Sequence, residues 1–373
     1  MKITILGESI EESYSGLDKI EEIEFGEEIS TIASRGSLIA IGIRNILGRG
    51  KHKIILIDLS GERTILEASE GSVTALALSQ DLIASGDLDR LIIWNTSGNI
   101  IREIPSKEPV EALAFYKNYL IYAFGEYIYV HNISKNKLSR KAKHGERILS
   151  LSVSSFLAAG GEEHVYIRSL PDLKLINKIP VEKPIYSIHA RRLVAAAEAD
   201  LFDRPPYSIY LIDPSRGVID KVETEKAVRA VRFSPGDSRI AIGSDRLLLM
   251  NISTRESISV PLEGIRGIEF PSYLAVAARK SLYVFKPKPK ESPEGEPREI
   301  ELEVEQSHLA ASERILIAAK LSKFYDIDPI EALLEANRRG ILIDLLRLLV
   351  SDRKIEQIDA RSFRIPYATR RPE

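Results

Sequence analysis

The chain contains no cysteine and only one tryptophan, Trp94, among its 373 residues. Without cysteine there can be no disulfides, no thiolate catalysis and no cysteine-ligated zinc. No apolar run approaches the roughly 20 residues that a membrane helix needs, and Met1–Ser9 is too briefly apolar for a signal peptide, because Glu11 and Glu12 follow it. We therefore expect a cytoplasmic protein that has no membrane as partner.

The chain also lacks an excess of charge of either sign, since 52 basic and 54 acidic residues give a formal net charge of −2. That balance requires neither nucleic acid nor a membrane, so any such binding must come from a local patch. The length of 373 residues predicts one large repeat domain or two to three smaller domains. With 44 % hydrophobic residues, burial is not limiting and we do not expect wholesale disorder. Abundant Ile, Lys and Glu without Cys favour a thermophilic source.

One unit recurs along most of the chain. It consists of a short alternating strand that begins with Val or Ile, a strand of small residues, and a third strand that usually ends with Asn or Asp; the clearest copy spans Val73–Asn95. The third strand occurs seven times and ends at residues 58, 95, 132, 169, 213, 251 and 286, with spacings of 37, 37, 37, 44, 38 and 35. This spacing fits the roughly 40-residue period of four-stranded propeller blades. We therefore predict a seven-bladed β-propeller over residues 19–286.

Two short motifs add a family resemblance. Trp94-Asn95 stands where WD-repeat propellers have their Trp-Asp pair, and Ser234-Pro235-Gly236-Asp237 looks like the turn of their first hairpin. The chain thus resembles a divergent member of that family, and the resemblance implies a scaffold that binds proteins, with no catalytic activity and no cofactor. The Gly-His pair that usually opens a repeat is absent. We therefore do not expect the family's buried His–Ser–Trp hydrogen-bond network in its usual form.

The fold class that we predict is mainly β, with a propeller over residues 1–286, a linker rich in Pro, Lys and Glu over residues 287–300, and a helical C-terminal extension over residues 301–373. The seventh blade lacks an obvious fourth strand. The alternating stretch Lys19–Phe25 is our first candidate for closing the ring, and Glu299–Glu305 is the competing one.

In the predicted extension, Ile341–Val350 is apolar except at Asp344 and Arg347. A helix that is apolar on all sides must be buried on several of them. One interpretation is the centre of a small helical cap, and the other is a helix that docks onto another chain. In the second case Ile341, Leu345, Leu348 and Leu349 would contact the partner.

Motifs for catalysis or metal binding are missing from the sequence. It contains no Gly-x-Ser-x-Gly and no His-Glu-x-x-His. Gly48–Lys51 is a poor phosphate loop, because Asn45 and His52 stand at two of its essential positions. Glu162–His164 indicates a polar turn more than a metal site. We predict neither an enzyme nor a metal or cofactor site, and no small-molecule substrate is evident.

Loops that join the second and third strands of a blade share one face with the loops that join successive blades. On that face the sequence predicts two basic segments, Arg44–Lys53 and Lys141–Arg147, and one acidic segment, Ala197–Ser208. The residues that we predict to contact a partner there are Arg44, Arg49, Lys51, Lys53, Lys141, Lys143, Arg147, Glu198, Asp200, Asp203 and Arg204. The leading hypothesis is a protein-interaction scaffold in a larger complex. The alternative is an RNA- or ribosome-associated factor that binds through the basic loops.

Overall fold

Short strands form most of the molecule, as the two-residue alternation of the repeat predicts. The computed structural model describes residues 2–7, 14–36, 38–45, 50–58, 62–200, 202, 204–235, 237–270, 273–289, 298–303, 310–325, 333, 336–337, 339–352, 355–357 and 362–364. The chain divides into two compact units. One is Gly16–Lys288, and the other combines Met1–Ser15 with Pro289–Glu373.

The strands have the following bounds: β1 (Lys2–Gly7), β2 (Tyr14–Glu24), β3 (Ile29–Arg35), β4 (Leu38–Ile43), β5 (Lys51–Asp58), β6 (Arg63–Glu70), β7 (Ala75–Leu78), β8 (Leu82–Gly86), β9 (Arg90–Asn95), β10 (Ile100–Pro105), β11 (Ala112–Tyr116), β12 (Tyr119–Phe124), β13 (Tyr127–Asn132), β14 (Lys137–Lys143), β15 (Ile148–Val153), β16 (Phe156–Gly161), β17 (His164–Ser169), β18 (Leu175–Pro180), β19 (Ile185–Ala190), β20 (Val194–Glu198), β21 (Tyr207–Asp213), β22 (Gly217–Thr224), β23 (Ala230–Phe233), β24 (Arg239–Gly243), β25 (Leu247–Asn251), β26 (Ser257–Val260), β27 (Ile265–Glu269), β28 (Leu274–Ala278), β29 (Ser281–Pro289), β30 (Arg298–Glu303), β31 (Glu356–Gln357) and β32 (Ser362–Arg364). The two helices with described bounds are α1 (Ala311–Tyr325) and α2 (Leu342–Ser351). No helix in these ranges is long and apolar enough to cross a membrane.

The unit Gly16–Lys288 is a seven-bladed β-propeller, so the predicted fold is confirmed. Strands β3 to β26 form six consecutive antiparallel sheets of four strands each, in chain order. The seventh sheet has the order β2-β29-β28-β27. Its outer strand therefore comes from the N-terminal side, where Lys19–Phe25 was the first candidate. The competing candidate overlaps β30, which lies in a different sheet.

Small residues in the second strand of each blade let neighbouring blades approach closely. A Cβ at Gly42 would lie 2.6 Å from Val73 Cγ1, and a Cβ at Gly160 would lie 2.4 Å from Ile185 Cγ2. Val73 lies just before β7, and Ile185 begins β19, so each belongs to the first strand region of the next blade. Both are buried. The Ala and Gly content of the second strands is thus explained by blade-to-blade packing.

The second unit contains a sheet as well as helices. Its strand order is β30-β1-β32-β31, and β1 pairs antiparallel with β30, with Ile5 opposite Ile300. The predicted domain of residues 1–286 therefore differs from the structure, because the pairing of β1 with β30 places Met1–Ser15 with the C-terminal unit. The predicted helical extension carries helices α1 and α2 together with strands.

Helix α2 lies at the centre of this unit. Ile341, just before it, and Leu345 and Leu349 within it are fully buried in a cluster with Ala318 and Phe363. The interpretation that these three residues dock onto another chain is therefore wrong, since their apolar surface already forms the unit's own core. Leu348 is half-buried and is not part of that cluster.

Candidate partner-binding face

One end of the propeller carries the loops between second and third strands and the loops between blades, because successive antiparallel strands alternate in direction. We call this end the loop face. Its described residues are 25–28, 44–45, 50, 71–74, 87–89, 106–111, 125–126, 144–147, 162–163, 181–184, 199–200, 202, 204–206, 225–229, 244–246, 261–264 and 279–280. The two longest connections between second and third strands are those from β4 to β5 and from β20 to β21, as predicted.

Most of the predicted basic residues are already paired with carboxylates. Five of the eight form ion pairs: Lys51 with Glu67 (2.5 Å), Lys53 with Glu27 (2.5 Å), Lys143 with Glu126 (3.0 Å), Arg147 with Glu111, and Arg204 with Asp200 (3.3 Å). Lys141 lies 3.6 Å from the centre of the Tyr127 ring. Lys51, Lys53, Lys141 and Lys143 also belong to strands β5 and β14 and not to loops. Arg49 lies outside the described residues.

Glu198 was predicted as a contact residue, and this prediction is wrong. Its side chain is fully buried at the end of β20. The carboxylate accepts four hydrogen bonds, from the backbone N–H groups of Glu182 (3.1 Å), Lys183 (3.1 Å) and Ser208 (2.8 Å) and from the hydroxyl of Tyr210 (2.7 Å). Buried carboxylates with this many donors hold loops together, so Glu198 joins two segments of the loop face.

Asp200 is also turned inward, with 7 % of its surface exposed, which contradicts its predicted role as a contact. It accepts hydrogen bonds from the Tyr207 hydroxyl (2.9 Å), the N–H of Phe202 (3.0 Å) and the side chain of Arg204 (3.3 Å). Burial alone would raise its pKa, but these hydrogen bonds outweigh burial and lower the pKa to about 2. Asp200 therefore fixes the shape of the loop. Asp203 lies outside the described residues.

The loop that Asp200 holds presents an aromatic side chain that sequence reasoning missed. Phe202 is 74 % exposed, the highest value among the exposed large hydrophobic residues of the described chain. The guanidinium of Arg204 lies 5.0 Å from the centre of its ring, which is within the range of a cation–π contact. Arg204, predicted as a contact residue, is itself 70 % exposed. The available signal was an aromatic residue in an enlarged loop, whereas all the contacts predicted for this face were charged residues.

Two arginines of the loop face, Arg44 and Arg229, lie near enough to Arg266 at the start of β27 for their charges to act on it. Arg44 was predicted as a contact residue, and Arg229 and Arg266 were missed. Arg229 follows Val228, and Arg266 follows Ile265. Both of these apolar residues are buried and lie at the start of the first strand of a blade, or just before it. The two arginines occupy equivalent positions in adjacent blades, so superimposing the seven copies of the repeat could have found them.

The loop face is tied to the blades by a buried hydrogen-bond network, which differs from the usual form of the family as predicted. Trp94 Nε1 donates to Ser85 Oγ (2.9 Å), Ser85 Oγ lies 2.8 Å from His52 Nε2, and His52 Nδ1 lies 3.0 Å from Asp87 Oδ2. The His–Ser–Trp network of WD repeats therefore exists at one blade junction. Its histidine comes from β5 of the preceding blade and not from a Gly-His pair at the start of the repeat.

A second polar network lies in the fourth blade, where the sequence indicated a polar turn. Glu146 accepts hydrogen bonds from the N–H of Glu163 (2.5 Å) and the Tyr166 hydroxyl (2.5 Å), and its carboxylate lies 2.8 Å from His164 Nδ1. Next to it, Arg168 Nε donates to His144 Nε2 (2.9 Å). No group of three or more metal-ligating side chains is found in the part of the chain that the structure describes.

Comparison with known proteins agrees with this architecture. The structure is similar to the WD40 domain of Neurospora crassa Pan2 (TM-score 0.62, 11 % identity, 75 % of this chain and 98 % of that one). It is also similar to a chain of the mitotic checkpoint complex (0.65, 13 %, 75 % and 95 %) and to the WD40 propeller of Doa1 (0.61, 12 %, 73 % and 98 %). At these identities the likeness establishes the fold alone, a β-propeller like those of the WD40 domains that it matches. No family model and no curated protein matches the sequence.

Proposed function

We propose that the chain is a non-enzymatic protein-interaction scaffold, a subunit or adaptor of a larger cytosolic complex, which binds its partner through the loop face. The observation that carries the proposal is Phe202, a large aromatic side chain that is 74 % exposed on a loop held by Asp200. Binding energy in protein interfaces is concentrated in a few aromatic and arginine side chains. Phe202 and Arg204 provide such a pair.

Two further features support this function. Hydrogen bonds to Glu198 and Asp200 fix the loop that carries Phe202. Binding of a partner would therefore cost little conformational entropy, which weakens binding to mobile loops. In addition, one of the structurally similar chains was solved as part of a complex, the mitotic checkpoint complex. A rigid ring that presents loops at one end is suited to such a role.

The test is affinity purification of the tagged full-length protein from its own cells, after nuclease treatment, with mass spectrometry of bound proteins. We expect a stoichiometric protein partner that is retained by the wild type and lost by Phe202→Ala, since removal of an interface hot spot costs about 2 kcal/mol or more. The matched control is Leu175→Ala. Leu175 is a 52 % exposed aliphatic residue at the start of β18, the end of the strand away from the loop face.

Two results would contradict the proposal. One is a set of partners that disappears with nuclease, which would favour the RNA- or ribosome-associated alternative. The other is a partner that Phe202→Ala and Leu175→Ala retain equally well, which would place the binding surface elsewhere.

A further inference from the structure

The loop face has a positively charged site beside the inner strands of the propeller. The inner strands contact one another from blade to blade and so surround the central channel. Arg266 is the second residue of β27, and Arg229 occupies the equivalent position in the blade before it. Arg44 follows β4 of the next blade, where its backbone N–H donates to Glu28 O (2.7 Å). The three side chains therefore belong to neighbouring blades at the loop end of the channel.

The electrostatics show that these arginines act on one another. Partial burial lowers the pKa of Arg266, and the positive charges of Arg44 and Arg229 lower it further, while Glu28 opposes them. No ion pair links any of the three to a carboxylate among the residues that the structure describes. Arg229 donates only to a backbone carbonyl, that of Asp200 (3.2 Å). Glu28 compensates only part of this positive charge, and such a cluster lowers its free energy when it receives a further anion.

We infer that Arg44, Arg229 and Arg266 bind a short acidic segment of the partner protein. The inference rests on the proposed scaffold function and identifies the chemistry of the partner. Tyr186 occupies the equivalent position in the fifth blade, which adjoins the blade of Arg229, and its side chain is 37 % exposed. Guanidinium groups bind carboxylates in a bidentate manner and are enriched together with aromatic side chains in protein interfaces.

A protein segment fits this face better than a nucleic acid does. A phosphate backbone needs a series of free cations along its path. Beyond the three arginines, the cations that the sequence predicted here are mostly neutralised, for example Lys53 by Glu27 and Lys143 by Glu126. Glu162 and Glu163 add exposed negative charge in the fourth blade. The positive potential is therefore confined to the three arginines, which can bind a few carboxylates but not a long phosphate backbone.

The experiment measures binding of a fluorescein-labelled oligo-glutamate peptide to the full-length protein by fluorescence anisotropy. The test variant is Arg44→Gln/Arg266→Gln. The control is Arg246→Gln/Arg279→Gln, which removes the same charge from the same face at residues already paired with Asp245 (3.5 Å) and Glu263 (2.6 Å). We expect binding to weaken about tenfold in the test variant, which corresponds to about 1.4 kcal/mol, and by less than about twofold in the control.

Two outcomes would overturn the inference. Equal weakening in both double variants would show that only net charge matters. An oligo-uridylate RNA that binds more tightly than the peptide and is lost in the test variant would identify a nucleic-acid site. Failure here is separable from failure of the scaffold proposal. If Arg44→Gln/Arg266→Gln keeps the cellular partner that Phe202→Ala loses, the scaffold stands and the acidic-segment inference falls.

Discussion

Ser85→Ala should destabilise the propeller far more than the loss of one hydroxyl group ordinarily does. The Ser85 oxygen accepts the N–H of Trp94, and the distances are satisfied when its own hydrogen is donated to His52 Nε2. His52 Nδ1–H can then donate to Asp87, so each donor is used once. All four side chains are at most 2 % exposed. Water therefore cannot replace the missing hydroxyl.

The magnitude follows from the two groups that would lose their partners. A buried polar group without a hydrogen bond costs about 1–3 kcal/mol, and Ser85→Ala leaves both the Trp94 N–H and one nitrogen of His52 in that state. We expect a loss of about 3 kcal/mol, since the side chain shrinks by only one oxygen and leaves little cavity. The matched control is Ser106→Ala, because the hydroxyl of Ser106 donates to Glu108 O in an exposed position. That change should cost less than about 0.5 kcal/mol.

The protein supplies its own probe for this measurement. Trp94 is the only tryptophan and is 1 % exposed, so its fluorescence in a urea titration reports unfolding of the propeller without a contribution from the other unit. A double-mutant cycle of Ser85→Ala with Trp94→Phe, followed by circular dichroism, should show a coupling of about 1 kcal/mol or more. If Ser85→Ala is no more destabilising than Ser106→Ala, or if the two changes are additive, the network does not contribute as argued.

Two more predictions concern the other polar networks. Glu198→Ala should destabilise the fifth blade by about 3 kcal/mol, because the buried donors of Ser208 and Tyr210 and the half-buried amides of Glu182 and Lys183 lose their acceptor. Hydrogen exchange at the Lys183 amide should accelerate, whereas Glu223→Gln, which changes a 67 % exposed carboxylate of the same blade, should leave it unchanged. Burial, and then the adjacent charge of Arg168, lowers the pKa of His144 from 6.5 to about 4. Between these values the unfolded chain binds a proton that the folded chain does not, so stability is fully present above pH 6.5 and decreases by at most about 3 kcal/mol as the pH falls toward 4. Urea titrations of wild type and His144→Gln at both ends of that window should show a smaller decrease in the variant, and equal decreases would refute the assignment.

The blade count could be predicted because both faces of the third strand are covered by adjacent blades: Ile92 and Trp94 of β9 pack against the first blade, and Leu91 and Ile93 pack against the third. The third strand is therefore a short continuous apolar run, and its ends mark a regular period even where the family motifs are lost.

The sheet of the second unit could not be predicted in this way. Ile5 pairs with Ile300 and with Phe363, and no local pattern indicates a contact across so much chain. The helical period of Ile341–Val350 was visible, but only the structure shows that its apolar surface is covered from within the unit.

Charged residues in the sequence identified the enlarged loops, but they did not indicate whether each side chain points into solvent or into the blade. Glu198 ends a strand in which every residue is buried. A carboxylate there accepts hydrogen bonds from the protein itself and does not contact a partner. Arg266 was overlooked because a single arginine in an alternating strand is unremarkable by itself. Its meaning depends on Arg229 in the adjacent blade and Arg44 in the next one. Contacts between blades are invisible to a motif search that treats each repeat separately.

Buried carboxylates explain how the ring keeps its shape with so few family motifs. Asp87 accepts the backbone N–H groups of Ser72 (3.1 Å) and Leu88 (2.7 Å) in the second blade. Glu146 in the fourth blade and Glu198 in the fifth also accept backbone N–H groups, and each receives a tyrosine hydroxyl from the third strand. In each case a carboxylate ties two segments of the loop face together. Glu198 and Asp200, which the sequence predicted as contacts, therefore hold the ring together, and the contacts that we propose are the exposed aromatic ring of Phe202 and the arginines.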